Sequence, residues 1–314
     1  MKYHKIAFIF PGQGSQYVGM GQDFSKHFSS SREVFEEADE VLQRFLSKIV
    51  FEGPKDLLTE TRNNQPGIFV NSMVILKAIQ EQFPDLKPCV CAGLSLGEYT
   101  AVAASGRLPF VETLQLVQYR ADYMNEACEA TNGEMAVVIG LDHDLVESIV
   151  EDLAMPEDLW AANFNCPSQV VISGTPKGIK AGSVAAKEKG ARRVLPLNVH
   201  GAFHSGLMAS AEELLGKKVE KAPLKDSDVG LVMNITGDYE SNLSVICRNL
   251  IGQVTNPVRW ERGIRSMLSK GVDLFIEIGC GTTLSGMNKR INELVPTISI
   301  DKVSDLEKLH EIFS

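Results

Sequence analysis

Positive charge is what this chain is short of: 31 Lys and Arg stand against 40 Asp and Glu, a formal net charge of −9. A protein whose main work is gripping nucleic acid needs the opposite balance, so that class is set aside, although a local basic patch is not. Long apolar runs are missing as well. The run in MKYHKIAFIFPGQG is five residues long before Pro11, too short for a signal peptide or a membrane span. No later segment reaches about eighteen uninterrupted apolar residues, and no membrane association is expected. The six cysteines, Cys89, Cys91, Cys128, Cys166, Cys247 and Cys280, form no C-x-x-C pair and no zinc-ligand spacing. They read as small buried apolar residues in a reducing compartment, the expected address is the cytoplasm, and no metal is expected. Low-complexity tracts and runs of like charge are absent too, which argues against disorder.

What is present suits one large α/β domain, or a large one carrying an insertion: 314 residues, 44% of them apolar and 23% charged. Lys5 to Phe10 reads as a buried parallel strand that ends in a loop at Pro11-Gly12. Pro88 to Ala92 is a second strand-like run, and EYTAVAASG, a little further on, reads as a helix closed by Gly106. Leu114, Val117, Ala121, Met124 and Cys128 recur at helical spacing and predict an amphipathic helix over 111–130. From Cys128 to Asn198 the order changes to β, α, β, β, α, β, the split unit of ferredoxin-like domains, compact enough to fold as an insertion. After it, GVDLFIEIG is a late buried strand, followed by the loop GCGTTLSG and a helix.

Between the second strand and its helix stands AGLSLGEY, the pattern Gly93-x-Ser95-x-Gly97. A G-x-S-x-G elbow lifts a serine out of a sheet as a nucleophile, and its glycines let strand and helix approach closely. The same string is also a capping box, with Ser95 and Glu98 closing a helix start, and the motif alone leaves both open. A nucleophilic serine needs a base, and the candidates are His4, His27, His143, His200, His204 and His310. His204, in the glycine-flanked loop VHGAFHSGLM, is the best placed, against the alternative of a solvated loop histidine. PGQGSQ suggests a phosphate cradle, but Tyr17 and Met20 stand where the dinucleotide and Walker patterns need glycine and lysine. Its backbone N–H groups remain available to an oxyanion. Arg120, at the flank of the helical stripe, would be a surface arginine unless it faced a cleft, where its planar fork would suit a carboxylate.

FPGQGSQYVGMG, GLSLGEYTAV, VQYRADYMNEA, GAFHSGLM, GQVTNPVRW and EIGCGTTLSGMNKR together resemble, in order and spacing, the malonyl-CoA:acyl carrier protein transacylases of type II fatty acid synthesis. The likeness runs over nearly the whole chain. It implies an α/β-hydrolase-like large subdomain with a parallel sheet, from residues 1–127 and 199–314, and an inserted ferredoxin-like βαββαβ subdomain at 128–198. By the same resemblance Ser95 is the acyl acceptor and His204 its base. Arg120 is the partner of the malonyl carboxylate, and Gln13 and Leu96 give backbone N–H groups to the oxyanion. Gln253 orients His204 through its main-chain carbonyl, and Phe203 crowds a branched acyl group. No cofactor is implied; malonyl-CoA and the phosphopantetheine of acyl carrier protein are substrates, and a monomer is expected. Two departures stand out: Leu94 where many members have His, and Cys280 where many have Pro.

Carrier proteins are acidic, so an acidic enzyme must meet them through a local basic patch. Lys187, Lys189, Arg192, Arg193, Lys289 and Arg290 are the candidates, expected near the cleft mouth. Competing readings are an acyltransferase or acyl hydrolase of polyketide assembly, and a non-catalytic carrier-protein-binding module. Arg120 counts against the hydrolase, and the intact set Gln13, Ser95, Arg120, His204 and Gln253 against the module.

Overall fold

Two sheets organise the chain in a computed structural model, which describes residues 3–313. In chain order the strands are β1 (Ile6–Phe10), β2 (Val90–Gly93), β3 (Glu134–Ile139), β4 (Leu159–Cys166), β5 (Gln169–Gly174), β6 (Arg193–Pro196), β7 (Gly230–Met233), β8 (Asp238–Tyr239), β9 (Leu274–Ile278) and β10 (Thr297–Ile300). The larger sheet has the order β10-β9-β1-β2-β7-β8, parallel throughout except for the closing β7–β8 hairpin. Every residue of β1, β2 and β9 is buried, which is why these strands read as unbroken apolar runs and not as alternations.

From β1 the chain steps to β2 and β7 on one side, then returns to place β9 and β10 on the other. The order therefore reverses between β1 and β9. In open parallel sheets the crevice beyond the carboxyl ends at such a point is where ligands bind. Five helices within residues 22–82, which the sequence pattern does not single out, fill the connection from β1 to β2. The longest, Thr61–Gln82, is buried nearly all round, so it carries no amphipathic stripe to read.

The second sheet has the order β4-β5-β3-β6, antiparallel, with all its strands between Glu134 and Pro196. Its second and fourth strands take the edges, the ferredoxin-like arrangement expected from the β, α, β, β, α, β pattern. Helices His143–Asp152 and Pro176–Glu188 pack on the face that carries Ala136 and Val138. The opposite face, with Met135, Val137 and Val171, joins the main core. β4 is tied to the segment before the helix Trp260–Ser269, where Phe164 N–H donates to Val258 O and Val258 N–H to Ala162 O, each at 2.8 Å. Among the described residues no helix is long and apolar enough to cross a membrane.

Candidate active site

β2 ends at Gly93 and the helix Gly97–Ala104 begins four residues on, which leaves Ser95 at the tip of a very tight turn. Its φ is +52°, a left-handed conformation that a non-glycine residue holds only when its surroundings enforce it. The glycines are steric necessities. A Cβ on Gly93 would lie 1.9 Å from Gly97 O, and one on Gly97 would lie 2.2 Å from Phe10 O. The capping box is a correction to the sequence reading. The helix has Leu96, not Ser95, at its N-cap and no side-chain cap, and the Glu98 carboxylate accepts instead from Asn234 N–H and Gln253 Nε2, each at 2.5 Å. With Ser95 turned left-handed, its hydroxyl points away from the helix start and toward His204.

His204 Nε2 lies 2.8 Å from Ser95 Oγ. On its other side Nδ1 is 2.8 Å from the main-chain oxygen of Gln253 and 3.2 Å from that of Asn256. Carbonyl oxygens only accept, so Nδ1 carries the proton and the Nε2 lone pair faces the serine. The ring is 3% exposed, and burial, with the nearby Arg120 charge, pulls its pKa down to about 4 against the pull of those two carbonyls. At neutral pH it is an uncharged base. The other histidines bond elsewhere, His27 to Asp23 O, His143 to Cys166 O and Glu261, and His200 to Glu129.

Arg120 is not a surface residue: it is 1% exposed and among the largest fully buried side chains. Nη1 donates to Gln65 Oε1 at 2.5 Å, and Nη2 donates to Gln253 Oε1 at 2.7 Å and to Ser95 Oγ at 3.0 Å. Nε has no partner. The guanidinium also lies 5.6 Å over the Tyr99 ring, a cation–π contact. Burial lowers its pKa, but a guanidinium stays charged in a protein. The counter-charge is Glu98, also fully buried, joined to Arg120 through the carboxamide of Gln253. Burial raises the Glu98 pKa to about 7, opposed by the bonds from Asn234 and Gln253 and by the Arg120 charge.

Ser95 and His204 line a cavity of about 250 Å³ together with Gln13, Leu94, Met124, Asn163, Asn165 and Phe203, while Arg120, Gln253 and Glu98 are buried off its wall. Leu96 is fully buried behind Ser95. Ser95 N–H donates to Asn234 Oδ1 at 2.7 Å, so on the elbow the next free N–H toward a reacting oxygen is that of Leu96. Of the two departures, Leu94 lines the cavity, and Cys280 is buried with Sγ 3.2 Å from Ser15 Oγ and its thiol pushed up to about 12. Among the described residues no group of acidic, His or Cys side chains is placed to hold a metal ion. Gln65, Glu98 and Asn234 are site residues that sequence reasoning missed in these roles. Glu98 and Asn234 are marked only as polar residues beside apolar ones, and Gln65, at the end of the polar run TRNNQ, carries no signal at all.

The basic residues fall on two layers. Lys289 and Arg290 are exposed at the end of the helix Thr283–Ile291, whose first turns line the cavity; Arg290 bonds Gln169 Oε1 at 2.6 Å and Pro167 O at 2.7 Å. Gln169 pairs with Ile139, and Ile139 with Arg193, so Arg193 and Arg290 flank one row of the second sheet. Lys187 and Lys189, at the end of Pro176–Glu188, lie on the outer helical layer at that same end, next to Arg192.

Comparison with known proteins gives concordant results. The acyl transferase domain family matches residues 7–295. Malonyl CoA-acyl carrier protein transacylase of Bacillus subtilis is 40% identical over 304 residues, 96% of this chain and 95% of that one. An acyl carrier protein S-malonyltransferase from Vibrio cholerae superposes with a TM-score of 0.93 at 34% identity, covering 98% of this chain and 100% of that chain. A malonyl-transacylase solved in complex with its type II PKS acyl-carrier protein gives 0.93 at 33% identity, with 98% and 99% covered.

Proposed function

The chain belongs to the acyl transferase family, among its malonyl-CoA:acyl carrier protein transacylases, and on that premise we propose that Ser95 and His204 are the dyad that carries the malonyl group. The observation that bears most weight is the single oxygen shared by two groups: Ser95 Oγ, 2.8 Å from a neutral His204 Nε2 and 3.0 Å from the Arg120 guanidinium.

His204 takes the Ser95 proton as Oγ attacks the thioester carbon of malonyl-CoA. The developing oxyanion is held by the N–H groups of Leu96 and Gln13; support comes from the Ser95 N–H being committed to Asn234 and from Gln13 lining the same cavity. The C–S bond breaks, the imidazolium returns its proton to the CoA thiolate, and malonyl-Ser95 remains. The phosphopantetheine thiol of acyl carrier protein then enters, gives its proton to His204 and attacks the ester, and Ser95 recovers that proton as it leaves. Gln253 stands where the acid of a conventional triad would, offering a carbonyl to Nδ1.

Arg120 receives the malonyl carboxylate. Its Nη2 bond to Ser95 Oγ supports this, because a carboxylate beside the serine would meet a charged donor already aimed there. A buried arginine left without that partner makes acetyl-CoA a poor substrate. Phe203, 6% exposed on the cavity wall, crowds a branch on the acyl chain.

The carrier protein docks over Lys289, Arg290 and Arg193, with Lys187 and Lys189 adding attraction from the outer layer. Residues 128–198 act as the inserted unit that closes the cleft, and one chain completes the site, consistent with a monomer. Unpaired thiols and CoA-thioester chemistry fit a cytoplasmic enzyme that needs no cofactor.

Intact mass measurement after incubation with malonyl-CoA tests the reading. A single malonyl adduct is expected on the parent and none on Ser95→Ala, with the adduct discharged by holo-acyl carrier protein. An adduct that Ser95→Ala retains would refute it, and discharge to water alone would favour a hydrolase.

A further inference from the structure

Ser95 is held in a conformation that costs free energy, and backbone bonds along the chain do not by themselves fix it. Leu94 N–H reaches Phe10 O at 3.0 Å, and Gly97 N–H closes on Leu94 O at 2.9 Å. What remains open on the strand side is the Gly93 carbonyl and the Ser95 N–H, on the two peptide units either side of Leu94. One side chain takes both. Asn234, just past the end of β7, accepts from Ser95 N–H with Oδ1 at 2.7 Å and donates from Nδ2 to Gly93 O at 2.7 Å.

Asn234 is fixed in turn. Its own N–H donates to Glu98 Oε1 at 2.5 Å, and its carbonyl accepts from Arg259 N–H at 2.9 Å. Glu98 Oε2 accepts from Gln253 Nε2 at 2.5 Å, and the same Nε2 also donates to Ser95 O at 2.9 Å. Asn234 is 5% exposed and Glu98 and Gln253 are fully buried, so these bonds compete with no water. Every polar group of Asn234 is satisfied, and two of the four are spent on the elbow.

We propose that Asn234, backed by Glu98, is a positioning residue for acyl transfer: its carboxamide clamps the peptide units around Leu94 and so sets where Ser95 Oγ sits against His204 Nε2. The inference rests on the reading of Ser95 as the malonyl acceptor. It also accounts for the tolerance of leucine at 94, since the turn is held by its main chain and asks nothing polar of the side chain. The clamp has a chemical consequence too. By occupying the Ser95 N–H it withdraws that donor from the oxyanion and leaves the Leu96 N–H to serve it.

The test is single-turnover malonylation of Ser95 by rapid quench and intact mass, across malonyl-CoA concentrations, on the parent, Asn234→Ala, Asn234→Asp and Glu98→Gln. Asn234→Ala should lower the maximal acylation rate about 30-fold while half-saturation changes by less than about threefold, as expected for a group that places a reacting atom without touching substrate. Asn234→Asp keeps an acceptor for Ser95 N–H and loses the donor to Gly93 O, so it should fall between the two. Glu98→Gln puts a donor against the Gln253 amide and should slow acylation, and combined with Asn234→Ala it should add less than its separate effect. If Asn234→Ala proves insoluble, the Asp and Gln variants decide the matter by the same measurement. Folded variants with a lower melting temperature but parental acylation rate, or a loss seen only in half-saturation, would overturn the clamp. A parent that forms no adduct would defeat the Ser95 reading itself, a result distinct from a parent and variants that all acylate equally fast.

Discussion

Removing the Arg120 charge should move the acid limb of acyl transfer toward neutrality. His204 works as a base only when uncharged, so the rate is flat above its pKa and falls tenfold per pH unit below it. Burial first, and the Arg120 charge second, hold that pKa down to about 4. Nη2 of Arg120 and Nε2 of His204 meet at Ser95 Oγ through bonds of 3.0 and 2.8 Å, which puts the two charges within about 6 Å of each other. At an effective dielectric of about 20, that separation is worth about 2.8 kcal/mol, or about two pKa units. Burial survives the change Arg120→Met, so its limb should stay below the ordinary histidine value and centre at about pH 5 to 6. The assay is kcat/KM for p-nitrophenyl acetate, an ester without a carboxylate, so that loss of the arginine does not obscure the result. Each acid exposure is followed by a return to pH 7, where recovered activity excludes unfolding. A parent limb at about 6.5 would refute the buried-base argument. An unchanged limb in Arg120→Met would refute the claim that the guanidinium acts on the ring.

Other outcomes follow from the same geometry. Charge reversal at Lys289 and Arg290 should raise KM for acyl carrier protein about tenfold at low salt, spare malonyl-CoA, and lose its effect as ionic strength rises; equal carrier kinetics would remove the docking surface. Gly93→Ala forces a Cβ to 1.9 Å from Gly97 O, and should cost about 3 kcal/mol or more with loss of Ser95 labelling. Gly286→Ala, in a helix interior where an added Cβ meets nothing within 4 Å, should instead gain about 0.5 to 1 kcal/mol, both read by thermal or urea unfolding.

The elements legible in the sequence are those whose signal is local. β1, β2 and β9 announce themselves as apolar runs that end at glycine, and the second sheet by its order of elements. Ser95 is marked by its two glycines, Gly93 placed by a clash with Gly97 O inside the turn and Gly97 by the approach of Phe10 O on the neighbouring strand. The rest of the site is assembled across long separations. Asn234 meets Ser95 from 139 residues away and Gln253 meets it from 158. Arg120 misleads most, since at the flank of an apolar stripe it resembles a solvated side chain. Inside, its Nη1 is met by Gln65, which comes from a helix buried nearly all round and so invisible to periodicity. Glu98 misleads in the opposite way: a local rule, the capping box, offers it a role that the left-handed turn at Ser95 removes.

Gln253 serves the site with two different parts of itself. Its carboxamide joins Arg120, Glu98 and Ser95, while its main-chain oxygen holds the His204 ring. Almost any residue at 253 would still present that oxygen. The acceptor that fixes the tautomer of the base is therefore shielded from point mutation, and it can be lost only by displacing the backbone after the helix Leu243–Gly252. In a mutational scan, position 253 would register as support for the arginine, and the group that orients the histidine would leave no trace. An acidic side chain in that place would have been exposed to every substitution at its codon.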